Sequence, residues 1–455
     1  MRTRRMAAPA WRSETVSASL FALPRLATSF VATGIVTLAV PQMVVLAVGE
    51  ARKGLHLGSI SAAASIASLA ALYLSGMHSD RRRLDGGRRH LPVVWLAVMA
   101  LPLAALASGS SYPAAIAAIM ALVVTRSLCD AAHLPIIADD FHGGLAGEPG
   151  VPRPGVLSAH IAFQQFLGAA LGALAFAWLP VTGGGPAGLR TASAAVAIAL
   201  LVLAAAGFLL SFRRLPRLAL GTRGAREAEP APSSSGQRGV RTGSAHDGSA
   251  DGAVITPNLR ALLAARTLFM AGVFIISTFL VFLVRDVLAA PDVERVTAIL
   301  VGGTLSGALL SALPAGRLAS TFGDRRVLFA AGAAVAAVAP AFLAFAPGRP
   351  AFALLCMLLY GLAFGTVVTS GLSLTLAVVV DPSNAGRSMA LASATTFLAQ
   401  SIASGAGAVV LDPLNRLRPN AGYAGLVALI ELLLAGGGYF LTRVDVPAPA
   451  RRRPA

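Results

Sequence analysis

The sequence predicts an all-α membrane protein with twelve transmembrane helices in two parallel six-helix halves, and three observations carry that prediction. First, 56% of the 455 residues are hydrophobic and 13% charged, with a mean hydropathy of +0.73, whereas a soluble globular domain carries about 25% charged residues. Second, runs such as Ala194 to Leu210 and Val327 to Ala346 are apolar throughout. Strands of a membrane barrel alternate apolar with polar, so continuous runs of about 20 residues demand helices. Third, charge is sorted along the chain. On the topology below, 27 of the 37 basic residues fall on one side of the membrane, 8 on the other and 2 inside it, which assigns the basic side to the cytoplasm. Basic loops facing anionic lipid account for the net charge of +17 without a nucleic-acid partner.

A hydropathy window of about 19 residues places the spans. The first half, 25–212, has helices near 25–48, 56–76, 91–108, 113–137, 156–180 and 190–212, after a cytoplasmic tail over 1–24. The apolar stretch from Leu20 to Val48 is too long for the core of a signal peptide, so it reads as an uncleaved first helix. Gly34 and Pro41 interrupt it, which membranes tolerate because neighbouring helices satisfy the freed backbone groups. From 213 to 257 the composition turns to Arg, Gly, Ser, Pro and Glu, with almost nothing apolar to bury. This is a disordered cytoplasmic linker. The second half, 258–443, has helices near 259–284, 294–315, 327–346, 351–378, 388–411 and 422–442. An even number of spans returns the tail over 444–455 to the cytoplasm. Cys129 and Cys356 fall inside predicted helices and read as packing residues, with no disulfide or metal site implied.

Between the second and third spans lies GMHSDRRRLDGGRRHLP, Gly76 to Pro92. Its five arginines would each cost about 2.5 to 3.5 kcal/mol at a helix centre, so the loop stays cytoplasmic. The order Gly76, Asp80, Arg81, Gly87, Arg88, Arg89 resembles the signature loop of the major facilitator superfamily, in the spacing of the glycoside-pentoside-hexuronide and sucrose-type sugar transporters. The resemblance implies a cytoplasmic latch, its carboxylate held by a neighbouring arginine and by the N-terminus of a helix in the other half. A helix N-terminus carries about half a positive charge, which suits a carboxylate. After the eighth span the loop returns as Gly316, Arg317, Gly323, Arg325 and Arg326. A weaker echo pairs Arg153 and Phe163 with Arg387 and Phe397. Where the family pattern has a second acid this chain has Ser320, so the second latch is expected to be the weaker.

Ionisable groups inside spans are functional candidates, because hydrocarbon penalises them. They are Arg126, Asp130 and His133 in helix four, His160 in five, Arg266 in seven and Glu431 in twelve. The first three are spaced i, i+4, i+7 and share one face. The resemblance places Arg126 at the family's helix-four arginine and lines a central cavity with helices one, four, seven and ten. Asp130 stands where that motif usually has glycine. Two roles stay open for it: a structural ion pair with Arg126, or a functional acid that takes up a proton or competes with substrate for the arginine. His160 and Gln164, one turn apart, suit either recognition of hydroxyl or amide groups or bonding between helices. Arg266, near a helix end, is a candidate for the cavity or for snorkelling to the interface.

Some patterns are missing. Leu57 to Ser75 holds none of the helix-two acids of the sodium-coupled sugar permeases. Gly168 and Gly172 lack the proline of the drug/proton antiporter motif and suit close helix packing. No GxxxxGK[ST] phosphate-binding loop occurs. The expectation is a monomeric, non-enzymatic secondary transporter in the cell membrane, without cofactor. It would move a small organic solute by alternating access, with protons as the coupling ion. Efflux of a drug or metabolite is the rival within transport. A non-transporting sensor or scaffold using the linker as its output is the rival outside it.

Overall fold

The computed structural model describes residues 10–33, 53–83, 90–108, 111–140, 154–178, 185–214, 256–378 and 385–445. They form twelve α-helices. The first six are α1 (Ala10–Val31), α2 (Lys53–Arg83), α3 (Leu91–Ala107), α4 (Tyr112–Asp140), α5 (Pro154–Trp178) and α6 (Gly185–Arg214). The second six are α7 (Pro257–Phe282), α8 (Val293–Phe322), α9 (Asp324–Phe345), α10 (Pro350–Val378), α11 (Ala385–Leu417) and α12 (Ala421–Thr442). Eight of the described helices contain a stretch long and apolar enough to cross a bilayer. No strand occurs among the described residues. The expected linker between the halves, apart from its ends, lies outside them, as do Gly87, Arg88, Arg89 and Arg153.

The first helix departs from expectation. It begins at Ala10, well before the start near position 25 that hydropathy gives, and residues 34–52 lie outside the described set. Arg12, Ser13, Glu14, Thr15, Ser17 and Ser19 depress any window average, and Pro24 reads as a boundary. Yet Ala18, Phe21 and Ala22 recur at helical spacing and are all buried. Pro24 sits inside the helix. Arg25, counted above among the cytoplasmic residues, is therefore an interior residue of α1.

The halves pack internally by close approach of small residues. A Cβ at Gly168 of α5 would lie 2.1 Å from the Leu26 carbonyl oxygen of α1, and one at Gly361 of α10 would lie 2.1 Å from the Thr304 carbonyl oxygen of α8. Backbones meet there because no side chain intervenes. Between the halves, Ala162 and Phe166 of α5 pack on Ala308 and Ala312 of α8, while Leu72 of α2 and Ala131 of α4 pack on Ala390 of α11. The Phe166 and Phe364 rings meet edge to face at 5.3 Å.

The helix ends are closed by local chemistry. The Thr256 hydroxyl accepts the Leu259 N–H at the start of α7, and Asp292 accepts the Arg295 N–H at the start of α8. Gly323 turns the chain from α8 into α9 at φ +89°, where a side chain would be strained. At the far end of α7 a π-helical turn, Leu283–Val287, presents Asp286, which accepts a 2.6 Å hydrogen bond from the Tyr423 hydroxyl of α12.

Candidate functional site: an arginine cluster and a cross-half contact

Helix direction sets the depth of the interior charges. From one end of the bundle, α1 runs inward from Ala10 to Arg25 and α7 from Pro257 to Arg266, while α4 returns past Arg126 and Asp130 to finish at Asp140. At about 1.5 Å of rise per residue, these offsets put the four Cα positions roughly 14 to 22 Å along their helices from that end. Two of the side chains meet. Arg25 Nη1 and Asp130 Oδ2 form an ion pair at 2.7 Å, with side chains 13% and 8% exposed. The expected partner of Asp130, Arg126, makes no ion pair among the described residues. It stays within electrostatic reach of both Asp130 and Arg25. Arg266, from the other half, is close enough to be repelled by Arg25.

Arg266 is positioned by α10, within one turn of the described end of that helix. Its Nη1 donates to Thr375 Oγ1 at 3.2 Å, and the Thr375 hydroxyl proton is used on the Gly371 carbonyl at 2.7 Å. The hydroxyl oxygen is thereby left as an acceptor, the role an arginine requires. The Nε atoms of Arg25, Arg126 and Arg266 are all buried without a hydrogen-bond partner. Among the described residues, Arg25 pairs with the one acid, Arg126 lies within its electrostatic reach, and Arg266 is held by a neutral hydroxyl.

His133 is not part of this cluster's charge. Its Nε2 lies 2.9 Å from the Phe21 carbonyl oxygen, so that nitrogen carries the proton, and its ring stacks on Phe21 at 4.7 Å with Phe208 edge-on. At 1% exposure it is a packing residue that ties α4 to α1. His160 Nδ1 lies 3.1 Å from the Ser19 hydroxyl, joining α5 to α1. Gln164, one turn on, has a buried Oε1 without a partner. Glu431 is exposed on α12, away from the cluster. Arg25 was missed in the sequence because the first span was placed too late in the chain; its place directly after a proline within an amphipathic stretch was the available signal.

At the end of the bundle that bears both loops, Asp80 reaches the other half. Its Oδ2 accepts the backbone N–H of Arg387 at 3.1 Å, in the first turn of α11, and lies 3.9 Å from Arg387 Nε. Gly76 and Ser79, on the same turn of α2, are buried, and Arg81 is exposed. The repeated loop behaves differently. Ser320 Oγ bonds the Arg317 carbonyl of its own helix at 2.7 Å. Gly316 is buried within α8. Arg325 donates to the Thr442 and Val444 carbonyls, at 3.0 and 3.5 Å, where the C-terminal end of α12 leaves acceptors open.

Two six-helix halves with helices of membrane-spanning length, packed on each other and burying ionic groups between helices, have the architecture of a multi-pass membrane transporter of small molecules. The chain belongs to the Major Facilitator Superfamily, whose sequence profile matches residues 26–404. It is a secondary transporter. A search of curated protein sequences finds no match. Among solved structures it is similar to the proton:xylose symporter XylE, with a TM-score of 0.65 and 15% identity over 96% of each chain. It is also similar to the human organic anion transporter MFSD10, with a TM-score of 0.63 and 18% identity over 95% of this chain and 100% of that one. FucP in its outward conformation gives a TM-score of 0.63 and 15% identity over 95% and 98%. At these identities the likeness is one of fold.

Proposed function

We propose that the chain is a proton-coupled transporter of a small organic solute, acting as a monomer in the cytoplasmic membrane with both termini in the cytoplasm. The observation that carries this is the Asp130 carboxylate, inside a membrane-spanning helix and held by an arginine of another helix. An ionic group in such a place is costly unless it is paired. Arg25 and Arg126 belong to the same half as Asp130, but Arg266 belongs to the other. Rocking of the halves changes the distance between Arg266 and the Arg25–Asp130 pair, which ties the pair to the transport cycle. Asp80 and the start of α11 form the latch that holds the cytoplasmic end shut, and the loop built on Gly316, Arg317, Gly323 and Arg325 contributes less to it.

Sugar-type uptake follows from the resemblance of the Gly76 to Pro92 loop. Efflux of a drug or metabolite is the second reading, favoured by the acid-free stretch from Leu57 to Ser75. Radiolabelled sugars, sugar acids and lipophilic amines, offered to proteoliposomes under imposed pH or sodium gradients, test the coupling with whichever class is carried. Accumulation is expected to follow the pH gradient. Flux that follows sodium and ignores pH would remove proton coupling.

Orientation has its own test, in protein whose Cys129 and Cys356 are replaced by serine. A cysteine at Ser234, in the linker, is expected to escape an impermeant thiol reagent on intact cells, and one at Ser110, between α3 and α4, to react. The reverse pattern would invert the topology.

A further inference from the structure

Three guanidinium groups and one carboxylate share the interior of the bundle, and the imbalance calls for an anion. From three arginines with buried, unpartnered Nε atoms, Arg25 and Arg126 beside the acid Asp130 in one half and Arg266 in the other, we infer that the transported solute is an organic anion whose carboxylate, phosphate or sulfonate head is taken by the arginines. This names the substrate class of the site above and rests on the transport reading. Asp130 satisfies one of the three charges, through Arg25. Among the described residues it is the only acid within electrostatic reach of Arg126, and Arg25 is the other charged group there. Arg266 has a neutral hydroxyl as its hydrogen-bond partner and Arg25 as its electrostatic neighbour. Among the described residues, two of the three guanidinium charges have no carboxylate paired with them, and a buried cation without such a partner is costly.

The guanidinium groups are also incompletely bonded. All three Nε atoms are buried without partners, and a guanidinium presents five donors in a planar fork suited to the oxygens of a carboxylate or phosphate. Those donors come from both halves, since Arg25 and Arg126 stand on α1 and α4 and Arg266 on α7. An anion between them is bound jointly by the two parts that rock, as alternating access requires. A neutral sugar would leave both charges uncompensated. An amine would be repelled by them.

The test uses purified full-length protein and three probe classes of similar size: gluconate and 3-phosphoglycerate as anions, glucose and glycerol as neutral solutes, and choline as a cation. Binding is read by thermal shift and flux in proteoliposomes. Anions are expected to stabilise the protein and to be transported. Arg126→Gln and Arg266→Gln are expected to weaken anion binding by about tenfold to a hundredfold, the range for a lost charge-assisted hydrogen bond. Arg126→Lys should recover part of the loss, which a purely structural role would not predict. Neutral or cationic probes that bind and move while the anions are inert would overturn the anion assignment and leave the transporter standing. Anion binding that needs both arginines but gives no flux would have the opposite meaning, keeping the assignment and removing transport. Glutamine variants that bind anions as the unaltered protein does would overturn the assignment.

Discussion

Asp130→Asn is expected to abolish accumulation of solute against a gradient while leaving exchange of solute across the membrane intact. Asparagine keeps an oxygen that Arg25 can bond, so the helix pair survives, but it takes up no proton. With one proton coupled to each solute, a pH difference of one unit supports about tenfold accumulation. In the variant the ratio should fall to one. Arg25→Gln is expected to behave otherwise, because it strands a buried carboxylate, at a cost of about 3 to 5 kcal/mol. The double variant Arg25→Gln, Asp130→Asn should regain most of that stability and remain uncoupled. This cycle is drawn through Arg25 because Arg25, not Arg126, holds the carboxylate at 2.7 Å. Thermal midpoints give the structural part and pH-jump uptake gives the coupling. Normal pH-driven accumulation by the double variant would eliminate Asp130 as the proton carrier.

Asp80→Asn should open the latched end of the bundle. The carboxylate faces the first turn of α11, where the helix dipole favours a negative charge by about 0.3 to 2 kcal/mol. Removing the charge while keeping an acceptor shifts the balance of closed and open states by about 2-fold to 30-fold. Asp80→Ala, which removes the acceptor too, should shift it further. Ser320→Ala should do little, since that hydroxyl bonds only within its own helix in the second half. Spin labels at the exposed His78 and Thr321, one on each half at this end, report the opening as a longer distance. Equal shifts for Asp80→Asn and Ser320→Ala would end the case for an asymmetric latch.

Much of this was legible in the sequence, and the parts that were not share a cause. Hydropathy located the other helices to within a few residues at most of their ends, because lipid leaves the backbone no partner but itself. It misplaced α1, whose polar first turns fold as helix while a window average rejects them. That error hid Arg25 and gave Asp130 the wrong partner. Spacing placed Arg126, Asp130 and His133 on one face of α4, but period alone says nothing of what stands opposite. Opposite His133 stand Phe21 and Phe208, which make it a packing residue. Opposite Asp130 stands an arginine from another helix. The partner of Arg266 was equally opaque, since spacing on α7 does not say which neighbouring helix meets it; the structure gives Thr375 of α10. The contact of Asp80 with a helix start in the other half came from the resemblance of its loop; the particular helix, α11, came from the geometry.

The Asp80 contact ends on a main-chain hydrogen, and that sets which positions evolution or an engineer can alter freely. The bond to Asp80 comes from the Arg387 N–H, while the guanidinium lies 3.9 Å away. Every residue except proline supplies the same donor. Position 387 is thus permissive, and Arg387→Ala should leave most of the closure in place. Arg387→Pro deletes a single hydrogen within the first turn of α11, where that N–H has no partner in its own helix. It should reproduce the effect of Asp80→Ala on the distance between the two labels.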